Sequence, residues 1–438
     1  MLWVALLTRS DPGTPPPDDD QLRGLSMYAL QFSPRTAIVE DAVVVEVEAS
    51  TRLFGGRRAL RDRIVAEVPE LGVGNVAWAP TSLAAVAFAR AGRENGIRGP
   101  LTPLLDALPM DTLAAVRPHL TTLSQLGCKT LGDVRALPRG GISRRFDKQL
   151  LTALDQAYGL RPEVHEWVEA PQTFRARLEL MSRVDTAPAL LFGARRLLMQ
   201  LCGWLAARHA GTTAFVLRWI HDAMRPRGSD AGGELTIRTA APMRDVDHLC
   251  RLLVENLAKV QLQAPAGDLE LEALDVHALQ EHSKSLLPDV AQKGESLTLV
   301  LERIAARLGP EKVLRPVVVE DHRLEWQTRW QPAPQALPQK RARRNRFPQP
   351  SFILAKPLRL AMRGDKPMYQ GVLQMLTGPH RVEGGWWHRV REGDDKESTA
   401  VVVRDYWVAQ SPHCGVLWVF HEHLGRDQTA WYLHGAFA

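Results

Sequence analysis

The chain opens on Met1-Leu2-Trp3-Val4-Ala5-Leu6-Leu7, an apolar run of the length of one buried strand. No basic region precedes it and no small-residue cleavage site follows, so a strand fits better than a signal peptide. Asp11 to Asp20 (DPGTPPPDDD) breaks the pattern, because a Pro/Asp stretch can form neither a strand nor a helix interior. Helical spacing covers 21–32. Ile38 to Val47 contains a β-branched strand, and Arg57 to Val68 returns to helical spacing. Val73 to Ala79 reads as a strand and Ser82 to Ala91 as an Ala-rich helix. Strands and helices thus alternate through the first 100 residues, as in an α/β or α+β layer.

The pattern then changes. Residues 101–165 are short helical pieces punctuated by Gly and Pro. At their centre, Leu123-Ser124-Gln125-Leu126-Gly127-Cys128-Lys129-Thr130-Leu131-Gly132-Asp133-Val134 reads as helix, Gly-containing turn, helix. Residues 171–278 form a second α+β unit. Its long helices lie around Leu190 to Ala207 and Arg244 to Val260, and its strands at Ala214 to Trp219, Glu234 to Thr239 and Leu269 to Val276. A polar connector runs from Gln280 to Pro288, and Leu297 to Leu308 is helical. From 327 to 351 the chain is rich in Pro, Gln and Arg, a composition typical of a linker. Short strand-like runs bearing Trp386, Trp387, Trp407, Trp418 and Trp431 predict a small β-rich domain at the end. The divisions are 1–100, 101–165, 171–278, 279–351 and 352–438.

Composition adds little to this picture. A chain of 438 residues, 45% hydrophobic and 24% charged, is long enough for several buried cores. No run of 18 apolar residues is present to span a membrane. The four cysteines lie far apart with no CxxC pair, which fits a reduced, cytoplasmic setting and suggests neither a zinc ribbon nor a disulfide framework. A net charge of +6 is compatible with a nucleic-acid partner without requiring one.

Several constellations can carry chemistry. Val43-Val44-Val45-Glu46-Val47-Glu48 places two carboxylates at alternate strand positions, hence on one face. Two-metal phosphoryl transfer needs acids converging on ions ~3.5–4 Å apart, and Mg²⁺ takes hard oxygen ligands. Against that, the adjacent N-terminal strand holds no acid, and a solvated or ion-paired role serves Glu46 and Glu48 equally. Around Gly127, backbone N–H groups at a helix start suit a phosphate, with Lys129 adding a cation and Thr130 a hydroxyl. Such glycines also occur in ordinary helical hairpins. Ser283-Lys284-Ser285-Leu286-Leu287-Pro288 presents two leucines in a polar connector, as short pocket-docking peptides do, unless the leucines fold back on a neighbouring domain. Lys340-Arg341-Ala342-Arg343-Arg344-Asn345-Arg346 is either a solvated linker or a tracker of phosphates. The C-terminal tryptophans read as core more readily than as surface. P-loop, HExxH and nucleophile-elbow motifs are absent.

Taken together, the chain resembles the Y-family (UmuC/DinB-like) translesion DNA polymerases, and within them the catalytically degenerate ImuB-type branch. MLWVALL resembles the first palm strand. LQFSPRTAIVEDAVVVEVEASTRLFGG resembles the central palm hairpin, its closing RLFGG particular to the branch. VGNVAWAPTSLAAVAFARAG resembles the palm segment leading to the thumb. LSQLGCKTLGDVRALPRGGISRRFDKQLLTALDQAYGLRPE resembles the helix-hairpin-helix thumb, and FRARLEL to about Asp275 the little finger. GPHRVEGGWW, RDYWVAQ and WYLHGAFA match the end of the branch. The implied fold is α+β and multidomain. It comprises a palm-like domain lacking most of the fingers, the thumb, the α+β little finger, a connector with a clamp peptide, and a β-rich, partner-binding C-terminal domain.

Active members carry an acid in the first palm strand and an Asp-Glu pair in the second. Here Val4, Ala5 and Leu6 stand where the first acid is needed. Aligning Glu46 with the family's later carboxylate puts Asp41 and Ala42 at the pair, with Glu40 an equal candidate. Asp41, Glu46 and Glu48 are then vestiges, no cofactor is required, and Mg²⁺ enters only if some polymerase activity survives. The resemblance implies a nucleoid-associated adapter in SOS-induced mutagenesis. It would bind damaged or primer-template DNA through Gly127, Lys129, Thr130, Arg144, Arg145, Arg175, Arg177 and Arg183. Ser283, Ser285, Leu286 and Leu287 would engage a sliding clamp, Ser and Leu standing where the family pattern has Gln and Phe. An error-prone replicative-type polymerase and a RecA-like accessory protein complete the expected partners.

Overall fold

A computed structural model describes residues 1–9, 18–146, 148–222, 231–279, 297–333, 349–392, 396–399, 401–423 and 429–437. They fall into two units, Met1–Gly309 and Pro310–Ala438. The first unit begins with β1 (Trp3–Thr8), α1 (Asp19–Ala29), β2 (Thr36–Val39), β3 (Ala42–Glu46), α2 (Arg57–Glu67), β4 (Val73–Ala79) and α3 (Ser82–Arg90). The strands form an antiparallel sheet in the order β2-β3-β1-β4. Both faces are buried, which explains the near-continuous apolar runs. Leu2, Val4, Leu6, Val43 and Val45 pack with residues of α1 and α2. Trp3, Ala5, Ala42, Val44 and Ala77 pack with α3 and the helical region after it.

The segment read as one strand over Ile38 to Val47 is a hairpin, as the family resemblance implied. Its turn falls at Glu40-Asp41, with Glu40 in the left-handed region at φ 57°. No Gly, Asn or Pro marks it, so periodicity alone runs through it. Between β1 and β2 the described chain supplies only α1, where a fingers subdomain would have to fit.

Five short helices follow: α4 (Leu101–Asp106), α5 (Leu120–Gln125), α6 (Leu131–Ala136), α7 (Arg139–Arg145) and α8 (Lys148–Ala157). Their core of Leu105, Leu123, Leu131, Val134, Leu150 and Leu154 is continuous with that of α3. The asparagine-free turn between α5 and α6 closes on Gly127, whose φ of 84° suits glycine. Gly132 lies so close to Asp106 that an added Cβ would come within 2.8 Å of its Cβ. Asp106 is in turn gripped by Arg135 at 2.7 and 2.9 Å and by the Tyr158 hydroxyl at 2.6 Å.

The next α+β layer comprises β5 (Arg175–Val184), α9 (Leu191–Ala207), β6 (Ala210–His221), β7 (Gly232–Met243), α10 (Val246–Leu257) and β8 (Ala266–Ala278). Its antiparallel sheet has the order β5-β8-β6-β7. Phe215, Leu217, Ile237, Leu269 and Leu271 point to one face, under α9 and α10. This layer packs on the palm-like sheet's helix α1 through α9. Gly203 makes the approach possible, since a Cβ there would lie 2.5 Å from the Met27 carbonyl oxygen. Arg195 adds ion pairs to Glu70 at 2.6 Å and Asp247 at 2.9 Å.

The stretch read as connector over 279–351 divides. Helix α11 (Leu297–Leu308) belongs to the first unit, docked on α10 by a buried His248–Glu302 contact of 2.8 Å. Pro310 onward belongs to the second unit. There β9 (Leu314–Val318) pairs with β10 (Thr328–Pro332). The main sheet runs β11 (Phe352–Arg359), β19, β18, β17, β14. Small hairpins β12 (Ala361–Arg363) with β13 (Lys366–Met368), and β15 (Arg389–Glu392) with β16 (Lys396–Thr399), flank β14 (Gln374–Gly384) in sequence. Strands β17 (Val402–Ser411), β18 (Gly415–His423) and β19 (Thr429–Ala436) complete it. The tryptophans split: Trp418 is buried, whereas Trp386 and Trp387 are 70% and 58% exposed.

Candidate nucleic-acid interface and the expected palm carboxylates

The carboxylates expected at a palm active site do not converge. Strand β3 ends at Glu46, and the chain turns at once, with Ser50 and Thr51 N–H groups donating to the Val47 carbonyl. Strand alternation therefore does not extend to Glu48, and the two acids do not project together. Glu46 is buried, 3.7 Å from Arg35, and accepts the Glu48 N–H at 3.1 Å. Glu48 instead pairs with Arg57 at 2.6 Å. Asp41 lies at the opposite end of β3, five residues and so roughly 16 Å away.

At that end stands a guanidinium. Arg90, at the end of α3, is only 8% exposed along its side chain. It pairs with Glu40 at 2.5 Å and with Asp41, and it donates to the Thr112 carbonyl at 2.9 Å. Hydrogen bonds to the two carboxylates outweigh burial, so its pKa is raised and it stays charged. The register sets Leu7 opposite Ala42, and the Thr8 hydroxyl donates to the Asp41 carbonyl at 3.2 Å. Leu7 and Thr8, rather than Val4 to Leu6, thus face the positions expected for the catalytic pair, and neither is acidic. Among the described residues, no third carboxylate, imidazole or thiol joins Glu40 and Asp41 in a metal-sized cluster. The group fits two-metal chemistry poorly: a fixed cation lies where divalent ions would have to sit.

The thumb-like turn is built differently from a vacant phosphate cradle. Thr130 caps α6 by accepting from the Asp133 N–H, and the Asp133 carboxylate accepts the N–H groups of both Lys129 and Thr130 at 2.9 Å. Those donors, Lys129 first, hold the Asp133 carboxyl below its ordinary range. Two of the N–H groups suited to phosphate are therefore already satisfied. The side chains tell another story. Lys129, Arg144 and Arg145 are exposed and make no ion pair with a described residue. Arg144 and Arg145 end α7, where cations also suit the helix dipole.

The three arginines expected to hold DNA from the second α+β layer are each ion-paired. Arg175 meets Glu270 at 2.8 Å, Arg177 meets Asp268 at 3.1 Å, and Arg183 pairs with Asp222. Arg218 bridges Glu234, Glu270 and Glu272 at 3.1, 3.0 and 2.6 Å, and Arg238 reaches Asp275 at 3.2 Å. These residues alternate with core residues along their strands, so the face away from α9 and α10 is a ladder of opposite charges. Arg218 and the acids of β8 were missed in the sequence, although the alternation Asp268-Leu269-Glu270-Leu271-Glu272 beside Arg175-Ala176-Arg177 carried the signal. Ser283, Ser285, Leu286 and Leu287 lie outside the described residues, as does the basic run at 340–346. No helix among the described residues is long and apolar enough to cross a membrane.

No family model matches the chain. It is 26% identical to Protein ImuB of Caulobacter vibrioides, in strain NA1000 / CB15N and again in strain ATCC 19089 / CIP 103742 / CB 15, over 97% of this chain and 94% of that protein. Among solved structures it is similar to a DinB family error prone DNA polymerase from Sulfolobus solfataricus, with 13% identity, 64% of this chain and 100% of that chain covered, and a TM-score of 0.32. A Dbh ternary complex gives 11% identity, the same coverages and a TM-score of 0.31. The likeness to ImuB spans nearly the whole chain and bears out the resemblance carried by its motifs.

Proposed function

We propose that this chain is a non-catalytic adapter, derived from a Y-family polymerase, that serves error-prone translesion DNA synthesis. The observation that carries the reading is the Arg90 clasp. Three positions where such a polymerase needs acids are here Leu7–Thr8, an Asp41 paired to a buried guanidinium, and Ala42. Likeness to ImuB over both units supports the placement in translesion synthesis. The absence of acids bears on catalysis only, and leaves the holding functions.

On this reading DNA contacts the thumb-like helices through Lys129, Arg144 and Arg145, three exposed cations not paired to described carboxylates. Gly127 and Thr130 shape the turn beside them. Arg175, Arg177 and Arg183 contribute only where phosphates displace Glu270, Asp268 and Asp222. Ser283, Ser285, Leu286 and Leu287 form the peptide for a sliding clamp. The second unit holds an error-prone replicative-type polymerase and a RecA-like accessory protein, in an SOS response in the cytoplasm at the nucleoid. No bound metal is needed. The test is co-purification with the clamp: Leu286→Ala with Leu287→Ala abolishes it and leaves DNA binding intact. Unchanged clamp retention by that double variant would overturn the peptide assignment.

A further inference from the structure

The second unit brings together three metal-ligating side chains that the adapter reading does not use. Asp405 on β17 and His421 on β18 are direct cross-strand partners. His423 follows two residues along β18 and so shares the face of His421. One donor atom from each of the three lies within 4.8 Å of the others. The His423 Nε2 atom is 3.1 Å from Asp405 Oδ2, and the two imidazoles lie 5.0 Å apart, edge to face.

We propose that Asp405, His421 and His423 bind one divalent first-row transition-metal ion of the zinc class. Two imidazoles and one carboxylate select such an ion over Mg²⁺ or Ca²⁺, which take oxygen ligands. Zinc–nitrogen bonds of ~2.0–2.1 Å require the donors to draw somewhat closer, which side-chain rotation supplies. Adjacent paired strands fix the Cα positions. The ring of Trp431, 4.9 Å from His421, braces that imidazole from one side.

Arg381 stands beside the carboxylate. Its Nε and Nη2 atoms sit 2.7 and 2.9 Å from the two Asp405 oxygens. An ion entering on the Oδ2 side leaves Oδ1 to Arg381, the outer-sphere hydrogen bond that ligating carboxylates commonly keep. Water completes the coordination. The ion would join neighbouring strands β17 and β18 at the end of the sheet.

The experiment uses full-length, tag-free protein, stripped with EDTA and titrated with Co²⁺ as a visible probe. The expected result is a saturable d–d band at one equivalent, displaced by Zn²⁺ and indifferent to Mg²⁺. His423→Ala and His421→Gln each weaken binding by about 100-fold or more, at least matching the loss of an outer-sphere partner. Zn²⁺ raises the thermal midpoint of the native chain and not of the variants, whose cooperative metal-free unfolding transition shows that they fold. Absence of a saturable band, an undiminished band in the double His variant, or a thiolate-to-cobalt charge-transfer band would each overturn the assignment.

Discussion

DNA affinity should depend on salt through the thumb-like cations and not through the arginine ladder. Each phosphate neutralised on duplex DNA contributes a slope of about −0.9 in log affinity against log salt. Lys129, Arg144 and Arg145 together predict a slope of about −2.7, or a loss of about 40-fold between 50 and 200 mM salt. If Arg175, Arg177 and Arg183 were equally engaged, the slope would reach about −5.4 and the loss over 1,000-fold. The ladder is tested without leaving bare carboxylates. Arg177→Gln with Asp268→Asn, and Arg183→Gln with Asp222→Asn, remove whole pairs at constant net charge. Fluorescence anisotropy on labelled primer-template DNA over a salt series should leave that slope unchanged, whereas Lys129→Gln, Arg144→Gln and Arg145→Gln each reduce it by about 0.9. A fall of about 1.8 in the pair-deleted variant would refute the reasoning. So would an unaltered slope in the thumb triple variant.

Arg90→Ala should destabilise the first unit by about 2–3 kcal/mol in urea unfolding. That is below the ~3–5 of a fully buried broken pair, because Glu40 and Asp41 remain partly hydrated. A loss under about 0.5 kcal/mol would mean that the hairpin does not depend on the clasp. Asp405→Asn should destabilise the second unit by about 2 kcal/mol at pH 7 in EDTA, from a carboxyl lowered from 3.8 to about 2. A depressed pKa contributes stability above the unfolded value, and that contribution is lost as pH falls through the folded one. The difference should therefore hold above about pH 4 and vanish near pH 2, followed by tryptophan fluorescence.

Most elements were legible because their cores are one-sided or fully apolar. The helices at 57–67, 82–90, 191–207 and 297–308 announce themselves by spacing. Two failures share a cause: alternation was carried across a turn that holds no Gly or Pro. It merged β2 with β3 at Glu40-Asp41, and it extended β3 to Glu48. The partner that makes the first turn tolerable, Arg90, is 50 residues from Glu40, and nothing local signals it. Conversely, the paired state of Arg175 and Arg177 required the register of β5 against β8, which brings residues more than 90 positions apart together. The spacing of His421 and His423 was visible in the sequence, but the placement of Asp405 opposite them was not.

Primer extension tests the central claim most directly. Purified chain, primer-template DNA, all four deoxynucleoside triphosphates and Mg²⁺ or Mn²⁺ should yield no extended product. The same chain added with the clamp and the error-prone polymerase should increase extension past a lesion. Extension by the chain alone, abolished by Asp41→Ala or Glu46→Ala, would contradict the account.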